Sequence, residues 1–570
     1  MKVSPIPVKT TYLILLIAGY FMNGCAKKNH ESGIQNSTNI PAEHSISVLT
    51  QHNDNTRAGL NANETTLNTS NVNSALFGKL FSLPVDGQVY AQPLVAGSVA
   101  IASGIHNLVM VATVNNSLYA FDGATGLLYW KKNFTAPGMR PPQASDMSSS
   151  WCSPYTDFNN NIGIVGTPVI DSTSKTIFFV ARSTDGAHFV QYLHAVNIVT
   201  GSDVAGSPVG ISASVPGTGD GSVGGVVSFD PMRNNQRQGL ALVNGIVYIS
   251  FSSHCDWNPY HGWILGYNEQ TLTQEIVYND TPDGENGGIW QSGQGIAADA
   301  SGNLYVTTGN GTVGQGNDFT ASVNGTSESN PNPDPTNLRD RSESALKLTP
   351  SGSTLKVSSY FTPFNYYNLN MNDLDYGVMG TFLIPNSNYY VTGGKDGNIY
   401  LLDKDHMGGF SLTGNFIKQT VPINASMHCQ PAYYKGSAGE WVYIWSENDQ
   451  LRAIPFDRGT NSFSGNQVVS ADPGPSGDCG ADLAVSSDGT KDGTGILWAT
   501  YAATGNAGST VSPGILRAFD ASDITHELWN SKQNPNDYYG AYAKFSTPTI
   551  ANGHVYIPTF SNQVAVYGLK

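Results

Sequence analysis

Two histidines, an aspartate, a tyrosine and two tryptophans crowd into ten residues at His254 to Trp263 (HCDWNPYHGW). Side chains of these types offer acid–base groups and flat apolar faces. Aromatic and amide-rich loops on one rim are also what a carbohydrate-binding surface uses. Farther along stand Trp290 in GGIWQSGQG, Asn310 in TTGNGT, the pair Asp373 and Asp375 in YFTPFNYYNLNMNDLDYG, and Lys395 in GGKDG. Each has a bland role: Trp290 can fill a seam between sheets, while Asn310, both aspartates and Lys395 can serve turns. Nucleophilic hydrolysis is not supported, because no Gly-x-Ser-x-Gly occurs and the histidines lack a recognisable partner pattern. The cysteines match no zinc spacing, and no Cys-x-x-Cys-His is present for covalent haem.

The elements that must position these groups are strands. Only 12% of the 570 residues are charged, and 62 are glycine. Gly, Asn, Ser and Thr, the vocabulary of turns and strand surfaces, take the place of charge. The apolar fraction of 39% allows a large core. The net charge of −15 with no basic stripe excludes nucleic acid as a partner. One unit recurs along the chain, clearest at Leu108 to Phe134: strand, turn, strand, Asp-x-x-Thr-Gly, then a strand carrying Trp130. Comparable strands begin near Leu108, Thr176, Ile246, Asn303, Tyr389, Trp441, Ile496 and His554, each preceded by another short strand. The expected fold is therefore all-β: an eight-bladed β-propeller of four-stranded antiparallel blades.

Counting strands gives the closure. The last unit is one strand short, and Phe77 to Val85 (FGKLFSLPV) has no partner of its own, so it is expected as the outer strand of the last blade. In the repeat, Asp122 should cap its turn, Gly126 should take a positive φ, and Trp130 should fill the gap to the next blade with its indole N–H on a carbonyl. Gly311 to Ser344 reads as a mobile rim-loop insertion.

The N-terminus reads as an address. Thr11 to Met22 is an apolar run too short to span a bilayer, and residues 1–24 are expected to be a signal peptide of lipoprotein type. The run ends in Phe21-Met22-Asn23-Gly24-Cys25, which resembles the lipobox of bacterial lipoproteins and implies lipidation of Cys25. Residues 25–46 are expected as a flexible tether and 47–570 as the propeller. The expected location is the bacterial cell envelope, as an outer-membrane or periplasmic lipoprotein touching the membrane only through its lipid, with secretion as the alternative. A monomer is expected. Export allows disulfides, and position in the blades pairs Cys152 with Cys255 and Cys429 with Cys479.

The period and the Asp-x-x-Thr-Gly…Trp turns resemble the repeat of the quinoprotein alcohol and methanol dehydrogenases, eight-bladed propellers that hold pyrroloquinoline quinone (PQQ) and calcium. That superfamily also includes non-catalytic binding scaffolds. The leading segment HNDNTRAGLNANETTLNTSNVNSALFGKL is similar to the one preceding the first blade in these enzymes. The resemblance implies that Trp290 stacks on the quinone, that Asn310 ligates calcium, and that Asp373 or Asp375 is the base for oxidation of an alcohol or sugar. It further implies that Lys395 donates to the quinone oxygens. Two features depart from the family. No Glu stands near Ser183 to Phe189, where a calcium-binding Glu belongs and Asp185 is the only carboxylate; and the vicinal Cys-Cys pair is absent, leaving Cys152 alone. The alternative is a non-catalytic envelope scaffold for glycan or protein partners.

Overall fold

The computed structural model describes residue 1 and residues 45–147, 153–314, 338–470 and 474–570. Cys25 and Cys152 lie outside the described residues, as does most of the rim insertion. Residues 42–570 make one compact unit. Among the described residues its strands form eight antiparallel blades in a ring. In the first blade Leu94–Ile101, Gly104–Ala112, Ser117–Asp122 and Leu128–Asn133 pair in chain order. The second strands of the eight blades begin at Gly104, Thr176, Ile246, Leu304, Tyr389, Glu440, Ile496 and His554. Helix is confined, among the described residues, to Tyr366–Met371 and a few single 3-10 turns.

A blade is apolar on both sides because it packs between two neighbours. Thr176–Thr184 in the second blade is buried at all nine positions. Successive side chains of a strand point to opposite faces. Ile177, Phe179 and Ala181 accordingly meet Leu108, Met110 and Leu118 of the first blade, while Phe178 and Val180 meet Val247, Ile249 and Phe251 of the third. The repeat turn behaves as its sequence requires. Asp122 Oδ1 accepts from the Ala124 and Thr125 N–H groups at 3.1 and 2.8 Å, and Gly126 sits at φ 73°. The Trp130 indole donates across the seam to Ile198 O at 2.9 Å.

The ring closes with Phe77–Pro84 as the outer strand of the eighth blade. It runs antiparallel to Gln563–Leu569, with Phe77 opposite Leu569 and Pro84 opposite Gln563. Phe77 is fully buried and packs its ring on Trp498, Trp529 and Tyr567 with centroids 5.1–6.3 Å apart.

The segment just before that strand is an axial hub. Between residues 46 and 64 it reaches the inner strand of every blade. Val48 pairs with Val95 of blade 1, and Leu49 O accepts from Ile170 N of blade 2. Arg57 donates to Leu240 O of blade 3 and Ile296 O of blade 4. The carbonyls of Thr56, Ala58 and Gly59 accept from Leu383, Tyr433 and Val485 of blades 5, 6 and 7, and Asn61 donates to Ile550 O of blade 8. Arg57 is wholly buried; its guanidinium also donates to Thr50 Oγ1 and Gln51 O at 2.7 and 2.6 Å. A buried cation ringed by carbonyl and hydroxyl acceptors recovers much of its hydration energy.

One pairing expected from the sequence is corrected. Cys429 and Cys479 are both free and buried. Cys429 packs with Met427 and Tyr433 between blades 5 and 6, whereas Cys479, held at φ 68°, packs with Ala502, Ala507 and Tyr542. Their side chains enter different clusters, so closeness along the rim does not become a bond.

Candidate functional site

Loops of one rim deliver polar groups to the funnel by two repeated routes. The first is the entry to each inner strand: Trp290 stands before Ala297–Ala298, Asp375 before Thr381–Leu383, His428 before Ala432–Lys435 and Asp478 before Asp482–Ser486. The second is the turn after each second strand: Asp256 follows Ile246–Ser253, Asn310 follows Leu304–Thr307 and Lys395 follows Tyr389–Gly393. Trp290, Asp375 and Lys395 line one cavity of about 170 Å³, together with Asp256, Arg237, His428, Asp478, Lys544 and Phe545.

The five residues singled out by sequence form one connected cluster. Lys395 Nζ lies 2.5 Å from Asp375 Oδ2 and 2.9 Å from Asp373 Oδ1. The Asn310 N–H donates to Asp375 Oδ1 at 2.9 Å, and its side-chain amide donates to Asp373 Oδ1 at 2.8 Å. Asp375 is buried, while the Asp373 side chain is 48% exposed, so only Asp375 faces the cavity. Gly309 makes this approach possible: a Cβ there would lie 2.4 Å from Asp375 Oδ1 and 2.7 Å from the Trp290 ring. The backbone of this rim is strained at several points. Cys255, Asp256, Gln291, Ser292, Asp373 and Phe545 all have φ between 45° and 62°. Left-handed conformations of this kind cost on the order of 1–3 kcal/mol each and persist where surrounding structure fixes them.

The electrostatics separate the carboxylates. Burial alone would raise Asp375, but the Lys395 ammonium and the Asn310 N–H outweigh it and hold its carboxyl below the usual range. Lys395 is raised in turn: burial opposes, and the charges of Asp375 and Asp373 prevail. Asp256 is pushed up to about 7 by burial and then by the negative charge of Asp375; Tyr260 donates to its Oδ1 at 2.7 Å. Glu343, behind Asp375, is raised well above its ordinary value by burial and by the same charge.

The donors at this cavity match the groups that the resemblance implies. Asn310 Oδ1 is buried with no hydrogen-bond partner among the described residues, an acceptor suited to a hard cation such as calcium. PQQ is a planar tricarboxylate, and the cavity carries the cations Arg237, Lys395 and Lys544 beside aromatic faces. The Arg237 guanidinium lies 5.3 Å from the centre of the Trp290 ring and 4.7 Å from that of Phe545, so an anionic ring near Trp290 meets a cation as well as a π face. The donor set thus fits. In the second blade, Asp185 does not replace the absent Glu: its side chain is 39% exposed and hydrogen-bonded within its own turn to His188 at 3.0 Å. The buried charge in that blade is Arg182, donating to His254, Pro231 O and Met232 O.

Sequence reasoning flagged the loop that carries Asp256 but gave Asp256 no role, and it overlooked Arg237 and Lys544. Their place on the repeat was the available signal, since Asp256 occupies the same turn as Asn310 and Lys395. Cys255 shares the strained turn and lines the cavity.

No family model matches the chain, and no curated protein sequence matches it. Solved structures do match. A quinohemoprotein alcohol dehydrogenase from Pseudomonas putida HK5 is 12% identical, with a TM-score of 0.57 over 92% of this chain and 80% of that one. The quinohemoprotein alcohol dehydrogenase of Comamonas testosteroni is 13% identical, with a TM-score of 0.56 over 92% and 81%. A europium-containing methanol dehydrogenase is 11% identical, with a TM-score of 0.59 over 93% and 99%. At such identities the likeness is one of architecture: this chain has the fold of the PQQ-type eight-bladed propellers.

Proposed function

We propose that this chain is an exported, lipid-anchored envelope protein whose funnel oxidises the CH–OH group of an alcohol or sugar, as a quinoprotein-type dehydrogenase. One observation carries the reading. Trp290, Asp375 and Lys395 come from three separate segments and line a single cavity, and Asn310 and Asp373 are hydrogen-bonded to them. Asn310 Oδ1 and Asp375 would hold calcium, and Arg237, Lys395 and Trp290 would hold PQQ. Hydride acceptance from the carbinol carbon is the chemistry that bound quinone supplies.

The chain's own part is the proton. Asp375, kept ionised by Lys395, is a weak base, but burial and then the charge of Asp375 raise Asp256 to about 7. The first proton taken up near neutrality therefore belongs to the Asp256/Asp375 pair, which is matched to accepting a hydroxyl proton at physiological pH. Cys25 is proposed as the lipid anchor and Cys152 as the partner of Cys255. Electrons would leave to a separate carrier.

The test is purified protein with PQQ and Ca²⁺, followed by absorbance and by dye-linked oxidation of a panel of alcohols and aldoses. Quinone binding with oxidation lost in Asp375→Asn supports the reading; no binding at roughly tens of micromolar ends it. A second reading, a non-catalytic scaffold for a glycan or envelope protein, is favoured by one feature: the second blade offers Arg182 rather than a carboxylate. Aldose binding without quinone binding would select it.

A further inference from the structure

A second cluster stands on the same rim. His428, Glu447 and Asp478 present one ligand atom each, all within 4.8 Å of one another. They come from three successive connections. His428 precedes the inner strand of blade 6, Glu447 follows its second strand Glu440–Ile444, and Asp478 precedes the inner strand of blade 7. Glu447 thus occupies in blade 6 the turn that supplies Asn310 in blade 4 and Lys395 in blade 5. His428 Nδ1 faces both carboxylates, 2.5 Å from Glu447 Oε1 and 3.4 Å from Asp478 Oδ1. One ring N–H donates to a single partner, so a lone imidazole nitrogen aimed between two carboxylate oxygens is better satisfied by an ion that binds all three.

We propose that His428, Glu447 and Asp478 bind one divalent transition-metal cation of the zinc class, with an open coordination position facing the funnel cavity. One imidazole and two carboxylates suit this class, and three protein ligands leave a position for water or a ligand hydroxyl. At metal–ligand distances of about 2.1 Å, ligand atoms of a tetrahedral site lie roughly 3.4 Å apart. Asp478 and His428 already have that separation, and Glu447 has only to swing off the ring N–H. The carboxylates are oriented from behind. The Cys479 N–H donates to Asp478 Oδ1 at 2.8 Å, and Ser426 Oγ donates to Glu447 Oε1 at 3.3 Å. His428 and Asp478 line the cavity shared with Asp375 and Lys395, so a bound ion would present its open position to whatever occupies the funnel. The site uses none of the residues assigned to calcium or quinone, and it stands whether or not PQQ binds.

The experiment is titration of the full chain, stripped with chelator and desalted, with Zn²⁺ and separately with Co²⁺. Expected are one Zn²⁺ per chain and a Co²⁺ spectrum with the visible d–d bands of a four-coordinate site and no thiolate charge-transfer band. Affinity should fall roughly tenfold or more in His428→Ala, Glu447→Gln and Asp478→Asn, and should be kept in Cys429→Ser and Cys479→Ser. Should His428→Ala fail to fold, Asp478→Asn decides, because its side chain is 43% exposed. Absence of a stoichiometric site, a thiolate band, or binding that persists in Asp478→Asn overturns the proposal.

Discussion

Lys395 lies 2.5 Å from Asp375 and makes its second contact with Asp373, so one ammonium bridges the two carboxylates that sequence could not tell apart. The pair with Asp375 is largely shielded from solvent, with side chains 18% and 8% exposed. Removing one partner of such a pair leaves a buried charge uncompensated. Lys395→Met should therefore destabilise the protein by about 3 kcal/mol in urea unfolding, and Lys395→Met combined with Asp375→Asn should recover part of that loss. Additive effects in the double variant would show that the two groups are not coupled.

The Asp256/Asp375 pair sets a pH dependence. A base must be deprotonated to act, and Asp256 titrates at about 7. Oxidation rate should rise with pH through about 7, and this limb should vanish in Asp256→Asn while surviving in Asp373→Asn. A profile unchanged by Asp256→Asn would remove Asp256 from the proton path.

His194 gives a second, independent pH effect, on stability. It is buried against Phe179 and Phe134, neither ring nitrogen has a hydrogen-bond partner among the described residues, and burial lowers it from 6.5 to about 4. As pH falls below 6.5 the unfolded chain takes up this proton first, so stability is full above 6.5 and is lost progressively down to about 4. The loss amounts to about 3 kcal/mol. In His194→Phe the denaturation midpoint should be flatter across that window.

Phe77 tests the clasp. Truncating a buried aromatic costs roughly 3–5 kcal/mol, and Phe77 joins blades 7 and 8 through Trp498, Trp529 and Tyr567. Phe77→Ala should lower the free energy of chemical unfolding by that amount. An exposed strand residue such as Leu80, which is 37% exposed, should cost much less on conversion to Ala.

The ring itself was legible in sequence because its period is local. Each second strand carries an apolar run bounded by turns, and the eight observed starts fall within four residues of those expected. The clasp followed from a missing strand, and Trp130 from its place after a glycine turn. The hub was not legible: the stretch carrying Thr50, Arg57 and Asn61 read only as a segment leading into the first blade, because the partners of these side chains are carbonyls of blades 3, 4 and 8, far along the chain. Nor was the direction of the Cys429 and Cys479 thiols, because Cys479 itself takes the left-handed backbone although the adjacent Gly480 is the residue type that favours it. Asp256 escaped for a related reason, since its elevated proton affinity arises from burial in the folded rim and then from Asp375, more than a hundred residues away in the chain.

The stretch from residue 46 to 64 has a consequence for cooperativity. By bonding to all eight blades at the centre of the ring it gives each sheet a partner besides its two neighbours. A blade that loosens therefore gives up contacts at the centre as well as at its seams, and the ring should come apart in one transition rather than sheet by sheet.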